Sequence, residues 1–212
     1  MIRDAISTLT EGCSLTQTGA TEVMGEIMSG DATEAQIGAF LTALRMKGET
    51  PEEIAGMATT MRKKALSVET GVDLVDTCGT GGDGSNSFNV STAAAVVVAS
   101  ANIYVAKHGN RAASGTCGSA DLLEALGVKI DLAPEGVKKC IETAGIGFMF
   151  APIFHPAMKN VIGPRKEIAI RTVFNILGPL TNPASADSML SLIHISEPTR
   201  PRLISYAVFC LK

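Results

Sequence analysis

The stretch 76–92 is the first part of the chain whose residue types could do chemistry. It reads DTCGTGGDGSNSFNVST, so glycines and hydroxyl side chains crowd a loop that leads into an apolar, helix-like run. Backbone N–H groups approach an anion closely where no Cβ intervenes, and a helix N-terminus adds positive potential. The pattern therefore favours a phosphate-binding loop, with a plain connecting loop as the alternative.

Two common phosphate-binding motifs can be compared with this loop. A Walker A loop requires Gly-Lys-Ser/Thr, and the loop has no lysine. The G-x-G-x-x-G dinucleotide pattern is satisfied by Gly79, Gly81 and Gly84, but it also calls for an acidic residue at the end of the next strand. That strand ends in Lys107-His108, which suits more phosphate, so the dinucleotide interpretation is rejected.

A second loop, at 107–119, reads KHGNRAASGTCGS. Lys107 and Arg111 bring two positive charges, and arginine can hold phosphate with two parallel hydrogen bonds. The cation at Lys107 favours a neutral His108, which could be functional or could merely pack. Ser119 opens the next helix, where it could cap the helix or touch phosphate. The helix start at 89–92 has the same two interpretations: simple capping, or a hydroxyl that reaches a metal or pyrophosphate.

No acid–histidine–nucleophile arrangement is visible, so no residue is assigned as a catalytic acid or base. Cys78 and Cys117 lie inside the loops without a histidine-centred motif and are interpreted as packing residues. Arg165, after Gly163-Pro164, is either solvated or an anchor for a carboxylate. Two phosphate-suited loops without such a triad point to phosphoryl or phosphoribosyl substrates.

Strands alternating with helices position these loops. The sequence predicts strands over 72–76, 103–106, 128–131 and 146–150, and helices over 89–101, 119–126 and 134–144. Such alternation is typical of a mainly parallel sheet with helices on its faces, and ligands bind at the carboxyl ends of its strands. Both loops follow strands, so both fall on that edge.

In residues 1–70 the apolar residues recur at helical spacing instead. Thr33 with Gln36 and Thr50 with Glu53 fit capping boxes, and Gly30 lies where a helix should stop. Gly48 lies at a second expected stop. The prediction is a bundle of short amphipathic helices whose methionine-rich stripes form the core, with a dimer face as the alternative.

Composition limits the classes of function. The 212 residues are 46% hydrophobic and 18% charged, with a net charge of -3, which excludes a disordered chain and argues against wholesale nucleic-acid coating. Five cysteines without a C-x-x-C pair argue against a disulfide framework or zinc ribbon. No signal peptide is visible, and the longest apolar run, 93–106, is too short to span a bilayer. The expectation is a cytoplasmic protein without a membrane or nucleic-acid partner.

The motifs at 76–83, 88–92, 107–111, 163–166 and 171–183 together closely resemble the anthranilate phosphoribosyltransferase family over roughly residues 1–187. The resemblance implies an α/β fold of the nucleoside phosphorylase/phosphoribosyltransferase type: a small N-terminal helical domain, 1–70, that dimerises, and a larger, incomplete, mainly parallel α/β domain, 71–187. The implied reaction transfers the 5-phosphoribosyl group from phosphoribosyl pyrophosphate to anthranilate in tryptophan biosynthesis, with Mg²⁺ as cofactor and a homodimer as the assembly.

The resemblance also implies site residues. Those for phosphoribosyl pyrophosphate are Gly79, Gly82, Asp83, Ser87, Asn89, Val90, Ser91, Thr92, Lys107, His108, Gly109, Asn110, Arg111, Ala112, Ala113, Ser114, Gly115 and Ser119. Those for anthranilate are Gly79, His108, Asn110 and Arg165, and Ser91 is the implied metal ligand. Ser87 stands where the family usually has threonine, which keeps the hydroxyl.

The last residues, 188–212, do not fit the family pattern and resemble a translated sequencing adapter. No Asp-Glu dipeptide, the family's other metal-binding pair, occurs in the chain, so the sequence predicts little turnover, an exposed sheet edge and exposed apolar helix faces. Three alternatives stay open: a pyrimidine nucleoside phosphorylase-like enzyme, a non-catalytic nucleic-acid-binding relative, and an inactive fragment.

Overall fold

The computed structural model describes residues 1–80, 88–112 and 117–190. The chain divides into two compact units: Met1–Ala65 with His155–Thr181, and Leu66–Phe154 with Asn182–Lys212. The helices are α1 Ile2–Thr10, α2 Gln17–Ser29, α3 Glu34–Lys47, α4 Pro51–Lys64, α5 Val90–Ser100, α6 Ser119–Ala125, α7 Pro134–Ala144, α8 Ala151–Phe154, α9 Lys159–Ile168 and α10 Phe174–Leu180. The strands are β1 Val75–Asp76, β2 Val105–Gly109, β3 Ile146–Phe150 and β4 Ser188–Met189.

The first unit is the predicted bundle of short helices. Both capping boxes are present. The Thr33 and Thr50 side chains each accept a hydrogen bond from the backbone N–H three residues on. The Gln36 and Glu53 side chains in turn accept from the backbone N–H groups of Thr33 and Thr50. Gly30 ends α2 in the left-handed conformation, at φ +83°. The predicted methionine stripes are core, because the side chains that share this interior are all nearly inaccessible: Met24, Met28, Met57 and Met61.

The first unit extends beyond the predicted boundary at residue 70. The segment His155–Thr181 returns to it, and its apolar side chains complete the bundle's interior. Val161, Val173 and Leu177 are at most 1% exposed and belong to the same buried cluster as Phe40 and Leu44. Burial of these side chains is the physical reason that the unit is discontinuous in sequence.

The second unit contains the predicted parallel sheet. Its strands lie in the order β3-β2-β1-β4, and every neighbouring pair is parallel. The register pairs Val75 with Val105 and with Ser188, and Val105 with Ile146. Parallel pairing places the carboxyl ends of these strands at one edge. The α/β fold class predicted from the sequence is confirmed.

Four predicted details of the second unit differ from the structure. The strand predicted over 72–76 is confined to Val75–Asp76, because only these residues pair with the neighbouring strands. Residues 128–131 form no strand, although Ile130 is buried against Phe148 beneath β3. The Ile130 side chain is buried, although the backbone of this segment pairs with no strand of the sheet. The second strand lies two to three residues later than predicted, over Val105–Gly109. Finally, β4 begins at Ser188, inside the predicted tail, because its backbone pairs with β1.

Apolar side chains are exposed on α5, as expected from the sequence. Val96 and Val97 are 56% and 66% exposed. Among the helices of the described ranges, none is long and apolar enough to cross a membrane.

Candidate functional site

A buried lysine lies where the two loops of the second unit leave the sheet. Lys107, on β2, is 2% exposed, and its Nζ donates to Thr77 Oγ1 at 3.2 Å and to Ser91 Oγ at 3.1 Å. Thr77 Oγ1 in turn donates to the Ser91 carbonyl at 2.9 Å. Burial lowers the pKa of Lys107, although the nearby Cys78 and Asp76 act in the opposite direction. Lys107, Thr77 and Ser91 form one hydrogen-bonded group, called here the lysine cluster.

Asp76 links the ends of β1 and β2. One carboxylate oxygen, Oδ1, accepts from Cys78 N at 2.9 Å and from His108 N at 3.1 Å. Burial raises the pKa of this carboxyl group, while the Asn182 side chain, these N–H groups and Lys107 oppose that rise. Asp76 therefore fixes the start of the first loop against the end of β2.

The helix that follows the first loop begins at an asparagine cap. Asn89 Oδ1 accepts from Thr92 N at 3.2 Å, from Thr92 Oγ1 at 2.8 Å and from Ser91 Oγ at 3.2 Å. Ser91 thus donates its proton to Asn89 and accepts from Lys107, which leaves its oxygen neutral and fixed in direction. The capping interpretation of this helix start is confirmed, and capping by Asn89 also orients the Ser91 hydroxyl.

The second loop starts and ends with close backbone contacts. Asn110 O accepts from Ala120 N at 3.2 Å and from Ser119 Oγ at 3.3 Å. A Cβ on Gly109 would collide with Ser119 Oγ and with the ring of Phe148, so this position requires glycine. Ser119 is buried and holds the loop, and its backbone opens α6.

Arg111 points at acidic side chains. Its Nη1 lies 3.0 Å from Asp121 Oδ1 and 2.7 Å from Glu124 Oε2, and its guanidinium lies 5.7 Å from the centre of the Phe150 ring. The hydrogen bonds that Arg111 donates to Glu124 and Asp121 raise its pKa above the usual range. In this structure the guanidinium is paired with two carboxylates.

Arg165 belongs to the first unit, on α9. Its guanidinium lies 5.3 Å from the centre of the Phe174 ring, and burial lowers its pKa. Within the described ranges no carboxylate forms a salt bridge with Arg165. A partly buried guanidinium stacked on an aromatic ring is suited to bind a planar carboxylate.

The structure brings some of the predicted site residues close together. Asn89, Ser91, Thr92 and Lys107 meet at the lysine cluster, and Asn110 and Ser119 meet at the second loop. Val90 begins α5, His108 is buried on β2, Ala112 follows Arg111, and Gly79 is exposed after β1. The predicted residues outside the described ranges are Gly82, Asp83, Ser87, Ala113, Ser114 and Gly115.

Sequence reasoning missed four residues of this region. Thr77 and Asp76 lie in the quoted motif but carried no assigned role, although polar residues that end a buried strand are a signal for one. Asn182 donates to Ala106 O at 2.9 Å across 76 residues of sequence, which no local pattern reveals. Asp121 bonds to both ends of the second loop.

For the predicted metal ion, the described residues of this region supply one ligand, the Ser91 hydroxyl. A hydroxyl oxygen is a hard donor of the kind that Mg²⁺ accepts, and its remaining lone pair is available after the bonds to Lys107 and Asn89. Among the residues that the structure describes, no group of three His, Cys, Asp or Glu could hold a metal ion. Ser91 therefore suits an ion that arrives with phosphate and water as its other ligands.

A parallel α/β unit accompanied by a helical unit defines a class of protein in which ligands bind at the carboxyl ends of the strands. The model "Glycosyl transferase family, a/b domain" matches residues 71–202, and "Glycosyl transferase family, helical bundle domain" matches residues 3–65. The chain belongs to this glycosyl transferase family.

Individual relatives agree with the predicted resemblance. The chain is 65% identical over 190 residues to the anthranilate phosphoribosyltransferase of Dehalococcoides mccartyi, which covers 90% of this chain and 56% of that protein. The crystal structure of the Thermus thermophilus enzyme of the same name matches with a TM-score of 0.83 at 49% identity, covering 89% and 57% of the two chains. The Saccharomyces cerevisiae enzyme "in complex with PRPP and Mg" gives 0.81 at 30%, covering 90% and 57%. The chain thus spans a little over half the length of these relatives.

Proposed function

We propose that the protein transfers a 5-phosphoribosyl group from phosphoribosyl pyrophosphate to the amine of anthranilate. The observation that carries the proposal is Lys107: a buried ammonium beside Ser91 and Thr77, next to a helix N-terminus and a glycine-rich loop. The names of the relatives supply the donor and the acceptor, and the chemistry of this site is suited to the donor.

In this reaction the site must above all stabilise the charge of the leaving group. Pyrophosphate departs from the sugar carbon while positive charge grows on the ribose ring, so the negative charge of the leaving oxygens must be stabilised. Lys107 and the N-terminus of α5, capped by Asn89, supply positive potential for this purpose. Asp76 holds both contributing loops at the sheet edge. When bound, Mg²⁺ would supply further charge to the phosphates, with Ser91 as its ligand from the described residues.

The acceptor needs orientation more than activation. An aromatic amine is already a nucleophile, so positioning accounts for much of the rate and no acid–base pair is required. Arg165, without a salt bridge among the described residues and stacked on Phe174, is the proposed anchor for the anthranilate carboxylate. The family resemblance also assigns Gly79, His108 and Asn110 to anthranilate binding, and these residues belong to the same proposal.

The proposal predicts that Lys107→Gln weakens binding of phosphoribosyl pyrophosphate with Mg²⁺ by about 10–100-fold, because one desolvated charge-assisted contact is lost. Isothermal titration calorimetry of the purified chain measures this affinity. The matched control is Lys139→Gln, which removes an exposed lysine of α7 and should leave the affinity unchanged.

Failure of the unsubstituted chain to bind the donor would contradict the proposal. Loss of anthranilate fluorescence in the presence of donor and Mg²⁺ measures the transfer itself. Phosphorolysis of thymidine without transfer to anthranilate would instead identify a pyrimidine nucleoside phosphorylase-like enzyme.

The assembly belongs to the same proposal: a homodimer formed through the helical unit in the cytoplasm. Exposed apolar residues such as Met46, 84% exposed at the end of α3, are available for such a contact. A monomeric mass in light scattering at the concentration used for assay would contradict the dimer.

A further inference from the structure

The chain folds back on itself between Arg165 and Phe174, within the helical unit. Helix α9 ends at Ile168, and Ala169 then adopts the left-handed conformation, with φ +50° and ψ 28°. The N–H of Ala169 donates to Arg165 O at 3.2 Å. This conformation is unfavourable for a residue with a Cβ, and helix ends usually employ glycine for it. The turn therefore has an energetic cost, and it is followed by the return of Phe174 to the side chain of Arg165.

The position of Phe174 is fixed by the interior of the bundle. Its side chain is 6% exposed and belongs to the buried cluster that contains Phe40 and Val173. The backbone next to it is held as well, because Thr172 N donates to Asn175 Oδ1 at 3.0 Å. A side chain in a close-packed interior has little freedom to change its rotamer. Phe174 therefore presents a rigid aromatic ring to its neighbours.

Arg165 meets this ring without a counter-charge. Its Cζ lies over the Phe174 ring, 5.3 Å from the centre, and no carboxylate in the described ranges forms a salt bridge with it. Arg111 differs, because it lies over Phe150 and is also paired with two carboxylates. A cation over a ring is held by the π electrons of that ring, which leaves the N–H groups of the guanidinium for an anion. Arg165 is thus held in place and is still able to bind a carboxylate.

We propose that Phe174 is a positioning residue whose ring fixes the guanidinium of Arg165 in the orientation that receives the carboxylate of the acceptor. The consequence for the acceptor rests on the proposed function, whereas the fixing of Arg165 does not. A free arginine side chain loses rotamer freedom when it binds an anion, and a side chain that is already fixed loses less. Phe174 therefore favours acceptor binding by acting through Arg165.

Nuclear magnetic resonance tests the fixing of Arg165 without reference to catalysis. We expect the order parameter of the Arg165 Nε–H group to approach the rigid value of about 0.85, and that of the exposed Arg3 to lie below about 0.6. Phe174→Leu keeps an apolar side chain in the core but removes the ring, so the Arg165 value should fall into the flexible range. Phe174→Tyr keeps the ring and should retain the high value. A flexible Arg165 in the unsubstituted chain would overturn the proposal, as would a rigid Arg165 in Phe174→Leu.

Acceptor affinity should follow the same order. The fluorescence of anthranilate measures its binding in the presence of Mg²⁺ and pyrophosphate, which has no phosphoribosyl group to transfer. We expect about 3–30-fold weaker binding for Phe174→Leu and recovery for Phe174→Tyr, with the affinity for pyrophosphate unchanged in both. Phe40→Leu is the matched control, because Phe40 is fully buried in the same cluster but is not the ring beneath Arg165. It should lower the unfolding temperature and leave anthranilate binding unchanged; an equal loss of binding in Phe40→Leu would refute the positioning role.

The results distinguish a failure of this proposal from a failure of the proposed function. If the unsubstituted chain does not bind anthranilate, the proposed function fails, while the order parameters still test the fixing of Arg165. If it binds anthranilate and Phe174→Leu binds it equally well, the function stands and the positioning role fails. If the Phe174 variants do not fold, the Arg165 order parameter of the unsubstituted chain decides, since the proposal requires the rigid value.

Discussion

Lys107 illustrates how a single residue joins binding to protonation. Burial lowers its pKa, so the folded protein holds this cation at a cost that an incoming phosphate would offset. A phosphate next to the ammonium favours its charged form, so the proposed binding of the donor would favour protonation of Lys107. The hydroxyls of Thr77 and Ser91 keep the ammonium hydrogen-bonded in the meantime.

Cys78 should be chemically inert despite its place in the first loop. Burial, followed by the carboxylate of Asp76, raises the pKa of its thiol to about 12, and only Lys107 opposes this. Because the thiolate is the reactive form, we expect iodoacetamide near pH 8 to modify the exposed Cys13 and Cys117 well before Cys78, as measured by peptide mass spectrometry.

Denaturant provides the control for this experiment, because Cys78 should react like the other cysteines once the chain is unfolded. Equal labelling of Cys78 and Cys117 in the native protein would contradict the raised pKa. The same shift makes stability depend on pH: the unfolded thiol ionises above its usual 9.0 while the folded one stays protonated. The contribution of the Cys78 thiol to the free energy of unfolding is therefore fully present below pH 9.0 and is lost as the pH rises through about 12.

At the residue scale the sequence predicted which types would meet but not how they pair. Lys107 and Ser91 are both in the predicted set, and the structure joins them through a hydrogen bond. Arg111, predicted to bind the donor, is paired in this structure with Asp121 and Glu124 on the next helix. Such a choice depends on geometry ten and thirteen residues away, which spacing alone does not encode.

At the scale of elements, Glu53 ties three segments of the first unit together. Its carboxylate accepts from Lys47 Nζ at 2.7 Å, from Leu15 N at 2.8 Å and from Thr50 N at 2.8 Å. The end of α3, the start of α4 and the loop before α2 thus meet at one side chain, which is fully buried. Burial alone would raise the pKa of Glu53, but the bonds from Lys47, Leu15 and Thr50 outweigh it and the pKa is lowered.

We expect Glu53→Gln to cost about 3–5 kcal/mol of unfolding free energy, because it leaves the Lys47 ammonium buried without its counter-charge. Denaturant unfolding measures the loss. The matched control is Glu52→Gln, one residue earlier on the exposed side of α4, which should change the free energy by less than about 0.5 kcal/mol.

The pH dependence of this effect has a definite sign. A carboxylate whose pKa is lowered by folding contributes stability above its usual 4.5, and that contribution is lost as the pH falls through the folded value. The difference between the unsubstituted chain and Glu53→Gln should therefore shrink as the pH falls below 4.5. A difference that stays constant with pH would show that charge plays no part.

Elements with strong local signals were predicted well. The capping boxes at Thr33 and Thr50, and the strand over 146–150, agree with the structure residue by residue. The strand predicted over 128–131 is absent. The apolar–polar alternation of this segment reflects the burial of the Ile130 side chain alone. The strand at Ser188 has no apolar pattern and exists because Val75 offers a free backbone edge.

At the scale of the whole molecule, the returning segment 155–181 is part of the helical core. We expect Leu177→Ala to lower the unfolding free energy by about 2–5 kcal/mol, because it opens a cavity in a fully buried position. Thermal and denaturant unfolding measure this. Ile162→Ala provides the matched control, because Ile162 lies in the same segment but is 54% exposed and should cost less than about 1 kcal/mol.

Equal effects of the two substitutions would show that the segment does not belong to the core. The sequence could not predict this return, since nothing local to Val161 or Leu177 states which helices they will touch. The regular caps and apolar spacing of the first four helices indicate a bundle complete by residue 70, whereas Val161, Val173 and Leu177, about 100 residues later in the sequence, complete its interior.

The discontinuity of the helical unit also has a consequence for synthesis. A ribosome delivers the first four helices early, but the segment that completes their interior ends at Thr181, after the strands β1 to β3 have already emerged. The nascent chain must therefore carry an unfinished apolar surface while residues 66–154 are synthesised, and we expect chaperones that shield such surfaces to bind it during that interval.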